Sequence, residues 1–182
     1  MHYISPMPTL AKFGTLPDAH LVPDLLAPGL RVVFCGTALG RVSAEKKAYY
    51  ANPNNYFWRA LHESGLTPTL LKPRDYPRLL DYRIGLTDLA KRHFGNDIEL
   101  PEDAFNTAAL REKIEQYQPA ILAFTSKTGA AALLERPTGA TPYGFQPETI
   151  GDTRLYVLPS PSGQARVFWK PEIWQQLADA VR

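Results

Sequence analysis

The chain has 182 residues and a mass of 20.3 kDa, which suits one domain whose core needs neither a disulfide nor a metal to stand. It is 45% hydrophobic and 21% charged with a net charge of +2, which excludes a disordered chain and neither proves nor opposes a nucleic-acid partner. No apolar run approaches the roughly 18 residues of a membrane helix, and the single cysteine, Cys35, excludes an internal disulfide and argues against a site built on several thiolates.

Residues 1–29 carry Pro6, Pro8, Pro17, Pro23 and Pro28 and read as an irregular, proline-rich arm ahead of a single α/β domain over 30–182. No charged stretch followed by an apolar segment is visible at the N-terminus. A cytoplasmic location is therefore expected, at the nucleoid if the chain is bacterial. Leu30 to Cys35 is a β-branched and aromatic run that predicts a buried strand stopped by Gly36. A long loop with Gly40, Ser43 and Lys46-Lys47 leads to Ala51-Asn52-Pro53-Asn54-Asn55. A helix is expected over 56–65, with Gly65 as its stop.

The stretch 72–92 is basic and punctuated by proline, and reads as turn-rich. Leu110, Ile114 and Tyr117 form one face of a helix over 107–117 that ends before Pro119. Ala120 to Phe124 predicts a second buried strand. Thr125-Ser126 caps a small-residue helix over 130–134. Leu155 to Leu158 predicts a third strand, followed by the irregular loop Pro159-Ser160-Pro161-Ser162-Gly163. Pro171 opens a last helix with Ile173, Trp174, Leu177 and Val181 on one face.

Strands alternating with helices imply a three-layer α/β/α architecture around a central, mostly parallel sheet. Ligands in such sheets bind beyond the carboxyl ends of the strands. Three segments directly follow predicted strands: Gly36–Gly40, Thr125–Lys127 and Pro159–Arg166. His2, His20, His62 and His93 form no metal-like spacing. Asp81 and Asp88 are candidate general bases by residue type, but both fall in the turn-rich stretch and are read instead as capping residues that shape a pocket wall. Cys35 reads as a buried, inert thiol.

Four segments in order resemble the uracil-DNA glycosylase superfamily, and most closely its mismatch-specific uracil and thymine branch. They are Val32–Gly40 with the turn Gly36-Thr37-Ala38-Leu39-Gly40, then Tyr49–Trp58, then Leu80–Leu89, then Val157–Arg166. In that branch the first turn carries an Asn that positions water; here the position is Ala38. The Asn that opens the last loop is here Ser160, and the wedge residue, often Leu, is Gln164. The hypoxanthine-excising branch has a similar Tyr-Tyr-Ala block ending in Asn before an aromatic pair, and that resemblance moves the catalytic role to Asn55.

The resemblance implies a monofunctional glycosylase that swings uracil, or another deaminated base, out of double-stranded DNA and cleaves its bond to the sugar, as in base excision repair. Tyr50 would stack on the base, with Thr37, Ala38 and Ser160 contacting it. Ser43, Ser126, Lys127, Gly163, Gln164 and Arg166 would contact DNA. No cofactor, metal or membrane partner is expected, and the protein is expected to be a monomer. Bland readings stand beside these: Asn55 as a turn or capping residue, Ser126 as a helix cap, Lys127 and Arg166 as solvated cations. Because Ala38 and Ser160 replace both customary amides, a non-catalytic binder of damaged or abasic DNA stays open. A nucleotide-binding α/β domain is weakened by the absence of a glycine-rich phosphate loop after Cys35.

Overall fold

The computed structural model describes Gly14–Thr15 and residues 22–182. Among the described residues, six strands form one sheet: β1 (Gly14–Thr15), β2 (Val32–Leu39), β3 (Ile84–Phe94), β4 (Ile121–Phe124), β5 (Gly144–Ile150) and β6 (Thr153–Val157). Their order is β1-β3-β2-β4-β6-β5. The four inner strands run parallel and the two edge strands antiparallel. Five α-helices complete the described chain: α1 (Arg41–Lys46), α2 (Phe57–Glu63), α3 (Thr107–Tyr117), α4 (Lys127–Leu134) and α5 (Pro171–Ala180).

The inner strands are buried on both faces, and their alternation divides the core in two. Val32, Phe34, Ile84, Leu86, Ala123 and Tyr156 pack with α2 and α5 on one face. Val33, Cys35, Leu122, Phe124, Leu155 and Val157 pack with α3 and α4 on the other. A sheet covered on both sides by helices is the expected three-layer α/β/α fold. The chain leaves β2 for β3 on one side, then crosses to β4 on the other. That reversal opens a crevice at the carboxyl ends of the strands.

Several elements differ from the sequence expectation. β2 does not stop at Gly36 but runs to Leu39, so Thr37 and Ala38 lie in a strand and not in a turn. The expected loop around Ser43 contains α1. The stretch 72–92 is not turn-rich throughout: a 3₁₀ segment, Pro73–Tyr82, leads into β3, the longest strand. β3 escapes a periodicity reading because Thr87, Asp88 and Lys91 interrupt its apolar pattern, although Ile84 to Ala90 are all buried. The hairpin strand β5 went unread for a similar reason, with Gln146, Pro147, Glu148 and Thr149 in it. Of the proline-rich arm, most lies outside the described residues. Its final part is packed: Val22 is fully buried, and Leu25 pairs with Leu86 through two backbone hydrogen bonds of 2.9 Å.

Among the described residues, no helix is long and apolar enough to cross a membrane. Nor does any group of three or more His, Cys, Asp and Glu there stand ready to hold a metal ion.

Candidate active site

β2 pairs with β4 only from Val32 to Cys35, but with β3 as far as Leu39. β4 ends at Phe124, and Thr125 donates its N–H to the Cys35 carbonyl at 3.0 Å. Beyond that point β2 has β3 on one side and open space on the other. A cavity of about 1010 Å³ occupies that space, bounded by the end of β2, the Tyr50–Asn55 loop, Asp88, the cap of α4 and the loop after β6.

Asp88 forms the cavity's inner wall. It sits opposite Gly36 in the β2–β3 register, on the same face of the sheet. A Cβ at position 36 would collide with Asp88 Oδ1, so only glycine leaves room for the carboxyl. The residue is 4% exposed, and Oδ2 is buried without a hydrogen bond. The nearest cation, Lys91 Nζ, is 3.9 Å from Oδ2. An ammonium has three protons, and Lys91 directs them to Asp24 Oδ1 at 3.0 Å, the Val22 carbonyl at 3.1 Å and the Tyr49 hydroxyl at 3.0 Å. Asp24 also takes Lys113 at 2.6 Å and the Thr87 hydroxyl at 2.8 Å.

The two carboxylates thus diverge. Burial works to raise Asp24, but Lys91 and Lys113 outweigh it and hold that carboxyl below its usual range. Burial raises Asp88 to about 6, Lys91 opposing and the negative Asp24 reinforcing. A carboxyl poised near neutrality in a cleft is the pattern of an acid–base group. Sequence reading weighed Asp88 as a general base but preferred a capping residue of the pocket wall. The available signal was its place between Leu86 and Leu89 in a run whose only other polar residue before Lys91 is Thr87, hidden by the misreading of β3.

Tyr50 stands over this wall. Its ring stacks on Phe57 with centroids 3.8 Å apart, and its hydroxyl lies 3.2 Å from Thr125 Oγ1. Its φ is +51°, an uncommon left-handed conformation for a tyrosine. Those two contacts hold it there. Of the tyrosine pair, Tyr49 is the core residue, 1% exposed with its hydroxyl 3.2 Å from the Pro23 carbonyl.

Asn55 is half-buried and lines the cavity. Its Oδ1 accepts the Phe57 N–H at 2.9 Å, so it is the turn residue of the bland reading. Because that N–H can only donate, the side-chain oxygen must face it. The amide NH₂, which has no partner among the described residues, is left as a fixed donor. Thr37 donates its hydroxyl to Asp97, a partner the sequence did not suggest. Ala38 lies opposite Ala90 in the ladder, and Ser160 Oγ accepts the Ser162 N–H at 3.2 Å.

The outer wall is a pair of interlocked loops. The Tyr56 N–H reaches the Pro161 carbonyl at 2.8 Å. Arg166 donates to the Tyr56 hydroxyl at 2.6 Å and to the Asn54 carbonyl at 3.1 Å, with its guanidinium 3.8 Å from the Tyr56 ring centroid. Gly163 abuts Asn54 so closely that a Cβ there would come within 3.0 Å of Asn54 Cβ. Gln164 is exposed on a 3₁₀ segment, Gly163–Phe168, that follows the expected irregular loop Pro159–Gly163. Two apolar residues that sequence reading passed over stand out on it: Val167, 85% exposed, and Phe168, 62% exposed.

Three expected DNA contacts are placed differently from the others. Ser43 is 5% exposed at the cavity lining, and its hydroxyl accepts the Ala51 N–H at 2.9 Å, tying α1 to the Tyr50 loop. Ser126 caps α4 by accepting the Gly129 N–H at 3.4 Å. Lys127 points its ammonium at the Tyr143 ring, 4.4 Å from the centroid, and does not line the cavity.

The uracil DNA glycosylase superfamily model matches residues 23–178. The fold also matches a solution NMR structure of a Methanosarcina acetivorans protein assigned provisionally as a uracil DNA glycosylase. Identity is 22%, the match covers 88% of this chain and 94% of the other, and the TM-score is 0.61. At that identity the likeness speaks for the fold, while the family match spans nearly the whole described chain and includes every wall of the cavity. This chain belongs to the uracil DNA glycosylase superfamily.

Proposed function

We propose that the protein is a monofunctional DNA glycosylase that removes uracil from double-stranded DNA as a step of base excision repair, the target nucleotide being swung out of the duplex into the cavity. The order of its four motif segments resembles that of the mismatch-specific uracil and thymine branch. The observation that carries the reading is the cavity at the carboxyl ends of β2, β3 and β4, with Tyr50, Asn55 and Asp88 all on its lining.

Each has a task there. The Tyr50 ring stacks on the base, an interaction worth about 1–3 kcal/mol per base. The Asn55 NH₂ donates to the oxygen on which charge develops as the base leaves, a preorganised donor in a partly dry site. The electron pair of the base–sugar bond goes to the base. Water adds to the sugar carbon, and its proton passes to the Asp88 carboxylate and on to the departing base. Base and water are the only things exchanged, so the products are free uracil and an abasic site. Negative charge at Asp88 also favours the cation-like sugar. Position 38 can therefore do without the customary amide, because the charged group comes from the neighbouring strand.

At the outer wall, Gln164, Val167 and Phe168 are the side chains that would fill the gap the base leaves, since they stand exposed beside the cavity mouth. The test is a panel of duplexes, each with one altered base, scored for strand breaks after alkali. Cleavage at uracil supports the reading. Tight duplex binding with no free base released would instead make the protein a binder of damaged DNA.

A further inference from the structure

A second cavity, of about 520 Å³, lies on the far side of the Tyr50–Asn55 loop. Tyr50, Asn52 and Asn55 line both cavities, so the two are separated by the thickness of that loop alone. The floor of the second is apolar. Trp58 and Leu71 are buried in it, and Leu70 is 58% exposed at its edge. Its charged lining consists of Lys46, Arg59, Lys72 and Arg74, with no aspartate or glutamate. Lys46 and Lys72 make no ion pair with any described residue, and Arg74 only approaches the adjacent Asp75, at 3.9 Å. Arg59 rests its guanidinium 5.1 Å from the Tyr56 ring centroid.

An apolar floor with cations alone around it selects for a ligand with a flat apolar body and negative charge. A bare phosphate has no use for the exposed leucine, and an apolar peptide has none for four cations. A nucleotide needs both, as in the stacking-and-charge sites that hold unpaired strands. We propose that this second cavity binds a nucleotide flanking the swung-out one on the same DNA strand, its base against Leu70 and Leu71 and its phosphate at Lys72 and Arg59. The choice of DNA as the source rests on the glycosylase reading; the shared loop puts a neighbouring nucleotide within reach once the first cavity is filled.

The test is fluorescence anisotropy with uracil-containing oligonucleotides extended by zero to five nucleotides on either side of the uracil, read alongside single-turnover excision. For the wild-type protein, affinity is expected to rise about tenfold as one side lengthens past two nucleotides, with the other side flat. The Leu70→Ser/Lys72→Glu variant is expected to lose that gain, to show a shallower salt dependence, and to excise from the shortest strand at the wild-type rate. Arg59→Glu provides a second variant with the same expected loss, and thermal melting checks both folds. Equal affinity at every length, or a length dependence that survives both variants, overturns the proposal. So does deoxyadenosine monophosphate alone binding in a Lys72-dependent way without any length dependence, which would make the cavity a free-nucleotide site. Length-independent binding with excision intact leaves the glycosylase reading standing, whereas length dependence without excision does the reverse.

Discussion

The two walls of the active-site cavity are built by different means. The inner wall is part of the sheet: Gly36 and Asp88 face each other across a parallel ladder, and Tyr50 is pinned by Phe57 and Thr125. The outer wall has no ladder and is held by loop-to-loop contacts, chiefly the clasp of Arg166 on Tyr56 and Asn54. On the proposed function, groups that must be positioned to a fraction of an ångström sit on the rigid wall, and groups that would meet the varied surface of a duplex sit on the adaptable one. Chemistry and DNA engagement should therefore be separable by mutation.

The largest expected effect is at the inner wall. Asp88→Asn removes the proton acceptor and should lower the single-turnover rate about 10²–10⁴-fold, with duplex affinity little changed. Stability should move the other way. A carboxyl raised to about 6 when folded, against an ordinary 3.8, favours the folded state below about pH 4 and loses that contribution as pH rises through 6. The Asn variant should thus be more stable by about 1–3 kcal/mol at pH 8, yet nearly unchanged at pH 4, as read by thermal melting at both. Equal melting shifts at the two pH values would show that Asp88 does not titrate as the geometry requires.

Asn55 allows a finer cut. Asn55→Asp keeps the oxygen that accepts the Phe57 N–H but loses the donor, and should cost about 10²–10³-fold in rate with the melting temperature preserved. Asn55→Ala should lose the same rate and, in addition, about 1 kcal/mol of stability from the missing turn bond. Full activity in the Asp variant would reduce Asn55 to its structural role.

Smaller effects are expected at the outer wall. Arg166→Ala frees the loop after β6, and should weaken duplex binding with a smaller change in the rate at saturation. If Arg166 also meets a phosphate, the salt slope of binding falls by about 1; an unchanged slope confines it to the clasp. Phe168→Ala should weaken duplex binding by no more than about 1–3 kcal/mol and leave stability unchanged, since the side chain is exposed.

The same contrast explains what could be read from the sequence. Strands with unbroken apolar runs, such as Ala120–Phe124, and helices with one apolar face, such as 107–117, announced themselves, and with them the three-layer architecture and the strand ends where ligands gather. The inner wall did not. Gly36 looked like a strand stop because the reason for it, the Asp88 carboxyl, lies 52 positions away in sequence and directly opposite in the ladder. Asp88 read as a capping residue in a turn-rich stretch because nothing local shows that β3 is a buried strand or that Lys91 directs its protons elsewhere. The Tyr50–Asn55 block was legible through its resemblance. The stretch around Ser43 was read as loop because a helix of six residues is too short to show an apolar periodicity.

The most direct measurement is the pH dependence of single-turnover uracil release from a duplex, compared between wild type and Asp88→Asn. The wild-type rate is expected to climb through about pH 6 as the carboxyl ionises and then level off, with the Asn variant slow and flat over that range. An Asn variant that matches the wild type in rate and profile would contradict a reaction driven from the sheet-built wall.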